Sequence, residues 1–287
     1  MGKGLCDASS AARSVFAEAD RVLGFSLSRL CFEGPEEELK LTANTQPAIL
    51  THSVAAFRDL ETRWPERLVG AAFAAGHSLG EYSAGVAAGA LEFADALRLA
   101  RQRGTFMQEA VPPGVGAMVA VIGLPAEEVE AACREAAGTE VVGPANFNSP
   151  EQTVIAGHSG AVTRASEACK RRGAKRVLPL AVSAPFHSAL MAPARQRMKP
   201  LLEATVFRDP AIPVVTNADA RVSDRGALLR EALIRQIDLP VRWVETVRLL
   251  AARGVARALE IGPGNVLGGL VRRIERGIAV ESHGGAQ

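Results

Sequence analysis

The chain has 287 residues, 48% hydrophobic and 22% charged, with 33 Lys and Arg against 31 Asp and Glu for a net charge of +2. This composition excludes a disordered chain, and the near-neutral charge with 5% aromatic residues excludes a general nucleic-acid binder built on stacking platforms. Four scattered cysteines, Cys6, Cys31, Cys133 and Cys169, form no CxxC pair and no zinc-finger spacing, so neither a metal site nor a disulfide framework is expected.

Taken in chain order, Ala11, Val15, Phe16, Ala19 and Leu23 recur at helical spacing and predict a helix over 8–23. A second helix is predicted over 46–63, starting near Pro47 and stopping before Pro65. The small, apolar run Val69–Ala75 reads as a buried strand, and Gly76-His77-Ser78-Leu79-Gly80 leads from it into a tightly packed helix through Ala84 and Ala88. Another helix runs from Phe93 to about Ala110, where Pro112-Pro113-Gly114 ends it. The pattern then changes. Strand 117–122, helix 125–137, strands 141–146 and 153–156, helix 161–172 and strand 176–181 give the order β-α-β-β-α-β, that of a ferredoxin-like unit. After it the α/β pattern resumes, with strand 213–216, helices near 228–236 and 245–252, and strand 256–261. The expectation is a discontinuous large α/β domain, 1–113 and 184–287, carrying an inserted subdomain at 114–183.

The strongest chemical signal is Gly76-x-Ser78-x-Gly80 between a predicted strand and a predicted helix. Small residues flanking a Ser in a sharp turn project its hydroxyl at a helix N-terminus, where the next N–H, that of Leu79, can hold an oxyanion. Gly157-His158-Ser159-Gly160 has a similar setting, but Ala161 stands where the second spaced Gly belongs, and Ser159 reads as a helix N-cap. Of the five histidines, His77 adjoins Ser78 and points elsewhere, His52 lies within a helix and His283 in the tail. His187, in the Pro-fixed loop after the last strand of the insert, is the candidate base; a structural loop histidine is the alternative. No obvious carboxylate between Ser78 and His187 suits a hydrolase triad: Asp95 follows too closely, and most of the glutamates fall on predicted helix surfaces. Arg103 would pair bidentately with a substrate carboxylate if it lay near Ser78, although position alone makes it a helix-surface arginine. Phe186 precedes His187 and either narrows the pocket or simply packs.

Five motifs in order, GHSLGEYSA (76–84), RGTFMQEAVPPG (103–114), NFNSPEQTVIAGH (146–158), VSAPFHSALM (182–191) and EIGPGNVLGGL (260–270), resemble the malonyl-CoA:acyl-carrier-protein transacylase family, with similarity over nearly the whole chain. The resemblance implies an α/β-hydrolase-like large domain with a parallel sheet and an inserted ferredoxin-like subdomain. It implies Ser78 as nucleophile, His187 as general acid/base, Arg103 on the malonate carboxylate, Gln236 holding the histidine through its backbone carbonyl, and Asn148 close to the site. It also implies ping-pong transfer of malonyl from malonyl-CoA, through a Ser78 ester, to the phosphopantetheine thiol of acyl carrier protein, in fatty-acid or polyketide synthesis, without a cofactor.

Against the basic stretch Lys170, Arg171, Arg172, Lys175 and Arg176, an acidic carrier protein of the kind the resemblance implies would dock, chiefly on Lys175 and Arg176; an ordinary solvated helix face is the plain alternative. The family opens with a strand running into a Gly-Gln-Gly-Ser-Gln loop, and no Gly-Gln-Gly occurs here, so a shortened N-terminus and a weakened oxyanion site are expected. A serine thioesterase or hydrolase, or an inactive carrier-protein-binding form, are the competing functions. No apolar run reaches the ~18 residues of a membrane span, no signal-peptide core is present, and Cys6 breaks the myristoylation pattern; a soluble cytoplasmic monomer is expected, with no nucleic-acid or membrane partner.

Overall fold

The structure is a computed structural model that describes residues 1–182 and 184–284. Ser183, the last residue of the expected insert, and 285–287, the end of the expected outer domain, lie outside the described residues.

An N-terminal helical layer comprises α1 (Lys3–Ala8), α2 (Ser10–Leu23), α3 (Leu27–Glu33), α4 (Glu36–Lys40) and the long α5 (Thr42–Arg63). Ser9 starts α2 by accepting the Ala12 N–H at 3.2 Å, a cap that satisfies one of the orphan donors of the first turn. The α5 helix begins at Thr42, before the expected start at Pro47. Pro47 has no N–H to give the Ala43 carbonyl, and Arg101 fills that place by donating Nη1–H to it at 2.7 Å.

Strand β1 (Ala74–Ala75) leads through the Ser78 turn into α6 (Gly80–Ala87), followed by α7 (Phe93–Glu109). The predicted strand over 69–75 contracts to two residues. Only Ala74 and Ala75 find a partner, and Val69 is exposed. The next block comprises β2 (Gly116–Ile122), α8 (Ala126–Ala137), β3 (Val142–Ser149), β4 (Gln152–His158), α9 (Ser159–Arg171) and β5 (Arg176–Pro179). Its strands form one antiparallel sheet in the order β3-β4-β2-β5. Side chains alternate across it. Val119 and Val121 join Val129, Val162 and Cys169 in a core under α8 and α9, while Met118 and Ala120 face the other way and pack with Phe186. Ser159 is not the cap of α9: it is the helix's first residue, and its Oγ donates to the Gly114 carbonyl at 2.9 Å.

The chain then forms α10 (Ala192–Ala204), β6 (Val214–Val215), β7 (Val222–Ser223), α11 (Gly226–Gln236), α12 (Trp243–Ala252), β8 (Arg257–Ile261), α13 (Val266–Ile274) and β9 (Ala279–His283). Parallel pairing joins β1 with β6, which also pairs antiparallel with β7, and joins β8 with β9; an isolated parallel bridge links Asn146 to Val241. The main core gathers α2, α5, α6, α7, α10 and α11 around Leu50, Tyr82, Leu97, Met107, Met198 and Leu233. Between β1 and β8 opens a cleft of about 1860 Å³ that reaches Ser78, Arg103 and His187 and extends to Asn148 and Phe186. Among the described residues no helix is long and apolar enough to cross a membrane.

Candidate active site

The Ser78 turn is shaped by its neighbours. Ser78 has φ of 51°, a left-handed conformation that a non-glycine residue holds only when its surroundings enforce it. Gly76 permits the tight reversal, because a Cβ there would collide with the Gly80 carbonyl. Asn217, just after β6, clamps the turn. Its Oδ1 accepts the Ser78 N–H at 2.6 Å and its Nδ2 donates to the Gly76 carbonyl at 2.7 Å. The expected nucleophile therefore sits at the start of α6, and Leu79 occupies the helix N-cap, where backbone N–H groups have no intrahelical partner.

His187 lies opposite, also in the left-handed region at φ 57°. Its Nε2 is 2.7 Å from Ser78 Oγ and its Nδ1 is 2.9 Å from the Gln236 carbonyl oxygen. A carbonyl only accepts, so Nδ1 carries the proton and Nε2 presents its lone pair to the serine O–H. The ring is buried, which pushes its pKa down to about 3. The Arg103 charge pushes the same way, and the bond to Gln236 only partly opposes it. His187 is thus neutral and able to take a proton across the whole physiological range.

Arg103 is buried to 1% exposure, which corrects the reading of it as a helix-surface residue. On α7 it follows Ala96 and Ala100 and precedes Met107, so it lies on the helix's buried stripe. That spacing was visible in the sequence and outranks the residue's charge. Gly104 lets α7 close on α5, since a Cβ there would meet the Thr42 backbone. Arg103 Nη1 then donates to Gln46 Oε1 at 2.7 Å, and Nη2 donates to Gln236 Oε1 at 2.8 Å and to Ser78 Oγ at 3.1 Å. Its Nε–H has no hydrogen-bond partner, and burial pushes its pKa down from the usual guanidinium value.

One glutamate near the site departs from the general expectation of helix-surface positions. Glu81, one residue into α6, is 0% exposed. Its Oε2 accepts the Gln236 Nε2–H at 2.8 Å and the Asn217 N–H at 3.0 Å. Sequence reasoning missed Glu81, Asn217 and Gln46. Glu81 stands inside the GHSLGEYSA motif, and Gln46 sits beside Pro47 on a helix that packs against α7. Asn217 carries no signal in the sequence, because it reaches the turn from 139 residues away.

Asn148 lines the cleft but bonds neither Ser78 nor His187; its Oδ1 accepts from His77 Nε2 at 2.8 Å, and His77 meets Trp243 edge-on. It ties β3 to the nucleophile turn. Phe186 lines the cleft and packs on Met118 and Ala120. Lys175 and Arg176 do not line it. Most of their basic stretch is locally balanced: Lys170 pairs with Glu167, Arg171 with Glu135, Arg172 with Glu128 and Glu135, and Lys175 with Glu151. Among the described residues no group of three or more His, Cys, Asp or Glu could hold a metal ion.

The family described as "Acyl transferase domain" matches residues 1–280. The malonyl CoA-acyl carrier protein transacylase of Escherichia coli K12 is 52% identical over 259 residues, 90% of this chain and 83% of that protein. The protein of the same name from Bacillus subtilis is 47% identical over 277 residues, 96% of this chain and 86% of that one. An acyl carrier protein S-malonyltransferase from Vibrio cholerae superposes with a TM-score of 0.93 at 47% identity, covering 97% of this chain and 90% of the other. A malonyl-transacylase solved in complex with its type II PKS acyl-carrier protein superposes with a TM-score of 0.94 at 48% identity, covering 100% and 92%.

Proposed function

The chain belongs to the acyl transferase domain family, and from that premise we propose how its residues divide the work of malonyl transfer. It is an [acyl-carrier-protein] S-malonyltransferase, which moves a malonyl group from malonyl-CoA to acyl carrier protein. The observation that carries the assignment of roles is the relay Gln236 carbonyl, His187, Ser78 Oγ, with a buried guanidinium 3.1 Å from the same oxygen.

Ser78 Oγ attacks the thioester carbonyl while His187 Nε2 takes the hydroxyl proton. The tetrahedral oxyanion forms against the Leu79 N–H at the head of α6. Collapse breaks the C–S bond, and His187 gives its proton to the departing coenzyme A sulfur. The malonyl group is then an ester on Ser78. The pantetheine thiol of the carrier protein repeats the sequence in reverse, losing its proton to His187 as the new C–S bond forms and Ser78 regains its hydrogen. Electrons stay within acyl–oxygen and acyl–sulfur bonds throughout, so the reaction calls for no metal or redox cofactor.

Arg103 gives selectivity. Its Nε–H has no acceptor, so donor capacity remains for the malonyl carboxylate. An acetyl group would leave the buried charge unpaired, which is costly. A monomer working in the cytoplasm is the simplest setting for this reading, with no nucleic acid or membrane involved, and Phe186 sets the room beside the α-carbon. Intact-mass measurement after exposure to malonyl-CoA tests the covalent step. A single malonyl adduct is expected on the unaltered protein and none on Ser78→Ala; an adduct that persists in Ser78→Ala refutes the assignment.

A further inference from the structure

The steps above leave Glu81 without a part, although it is a fully buried carboxylate directly behind the nucleophile. Such a group is expensive. It loses its hydration, and its Oε1 is buried with no hydrogen-bond partner at all. An apolar side chain of similar size would pack the same helix at lower cost. All its polar contacts converge on Oε2, which accepts from Asn217, the clamp of the Ser78 turn, and from Gln236, the residue that holds both His187 and Arg103.

We infer that Glu81 is a positioning residue that fixes which way the Gln236 amide faces and thereby aims Arg103 at the substrate carboxylate; this rests on the functional reading given above. A primary amide has one donating end and one accepting end, and nothing intrinsic to Gln236 chooses between its two orientations. An Oε2 that already takes the Asn217 N–H has only an acceptor to offer the amide. With Oε2 at 2.8 Å, Glu81 requires the NH₂ end to face it, and the same Nε2 donates at 2.8 Å to the Ser78 carbonyl. The oxygen end must then face Arg103, where it accepts from Nη2 at 2.8 Å. A reversed amide would set two donors against each other and release the guanidinium from one of its two glutamine acceptors. The Asn217 contact places the nucleophile turn in the same frame, so one carboxylate oxygen keeps serine, histidine and arginine in mutual register.

Burial raises the Glu81 pKa to about 7 against the opposing pull of the bonds from Gln236 and Asn217 and the Arg103 charge. Both N–H donors meet Oε2, so a proton taken up by the group sits on the unpartnered Oε1 and Oε2 accepts in either state.

The test compares Ser78 acylation rates with malonyl-CoA and acetyl-CoA for the unaltered protein, Glu81→Met and Glu81→Gln, with thermal melts of each. Met fills the space but accepts nothing. The malonyl-over-acetyl preference is expected to fall by about 10- to 100-fold in Glu81→Met, the worth of a hydrogen bond to a charged group, and by a smaller factor in Glu81→Gln, whose oxygen can still accept. A purely structural role would lower both rates together. Equal losses with the two thioesters, or an unchanged preference, overturn the inference. If Glu81→Met has no cooperative melt, Glu81→Gln decides alone: a reduced preference supports the inference and an unaltered one overturns it. Failure of the unaltered protein to form any malonyl adduct overturns the functional reading and this inference with it, whereas normal acylation with an unaltered preference in the variants overturns this inference only.

Discussion

His187 is neutral at rest and bonded at both nitrogens, so its removal leaves Ser78 with no acceptor for its proton. His187→Ala should lower both acylation by malonyl-CoA and deacylation by the carrier thiol by roughly 10⁴-fold or more, the scale seen when a member of a serine–histidine unit is lost; stopped-flow measurement of the two half-reactions checks this, and a variant impaired in one of them alone contradicts a shared base. Arg103→Ala should cost malonyl transfer about 100-fold more than acetyl transfer, as expected for a charge-assisted bond made to one substrate only. Steady-state rates with both thioesters measure it. Phe186→Ser should widen the space beside the α-carbon and raise the methylmalonyl-to-malonyl rate ratio, and an unchanged ratio would leave Phe186 as a packing residue. At this scale the sequence was informative where a residue's role depends on close neighbours. Glycine and proline placement pointed to Ser78 and His187, and the fold brings their side chains to 2.7 Å. For Arg103 charge alone suggests exposure, whereas the helical stripe through Ala96, Ala100 and Met107 puts it inside. Asn217 was out of reach, since a turn clamped from a distant strand end has no local pattern.

Between elements, the site depends on how closely α7 approaches α5. Gly104→Leu would drive a side chain into the Thr42 backbone, so it should lower stability by about 1–3 kcal/mol, as overpacking does, and part Gln46 from Arg103. A thermal melt together with the malonyl-over-acetyl ratio reports both effects, and a variant unchanged in either would show that the crossing has slack. The charged face of α9 and β5 belongs to this scale as well. Lys175→Glu with Arg176→Glu should raise the KM for acyl carrier protein only a few-fold, because local acids already balance most of the stretch. Ser78 acylation by malonyl-CoA should be untouched, and a parallel fall in that step would assign the pair to coenzyme A or to folding. Helices and antiparallel strands were legible from periodicity, from β2 through β5 with bounds that shift by at most about three residues. The strand before Ser78 was not, because pairing rather than composition sets its length. Ala74 and Ala75 meet Val214 and Val215, and the apolar residues before them meet no strand. The short β6 lies within the strand expected over 213–216, whereas β7 and the helices α10 and α13 were not expected.

For the whole molecule, buried titratable groups pull stability in opposite directions with pH. The His187 pKa is lowered from 6.5 to about 3 and that of His52 to about 4, both mainly by burial, so in this window the unfolded chain binds more protons and stability falls as pH drops below 6.5. The Glu81 pKa is raised from 4.5 to about 7, so between these values the folded state holds a proton that the unfolded chain releases, and stability falls as pH rises. Glu81→Gln removes that second slope. Relative to the unaltered protein it should gain roughly 3 kcal/mol between pH 4.5 and 7, read as a difference in the pH dependence of Tm; parallel curves would contradict a buried, titrating Glu81. The large-scale architecture follows from the alternation of helices and strands, and the cleft appears only once distant segments, 68–80, 103–107, 180–182 with 186–187, and 256–261, are brought together. What that cleft does is settled most directly by trapping the intermediate. Protein carrying malonyl on Ser78, freed of malonyl-CoA and mixed with phosphopantetheinylated acyl carrier protein, should pass its label to the carrier thiol far faster than to water, and its mass should return to that of the free chain as malonyl-carrier accumulates. Release of free malonate at the same rate with and without the carrier would mark a hydrolase and contradict the account.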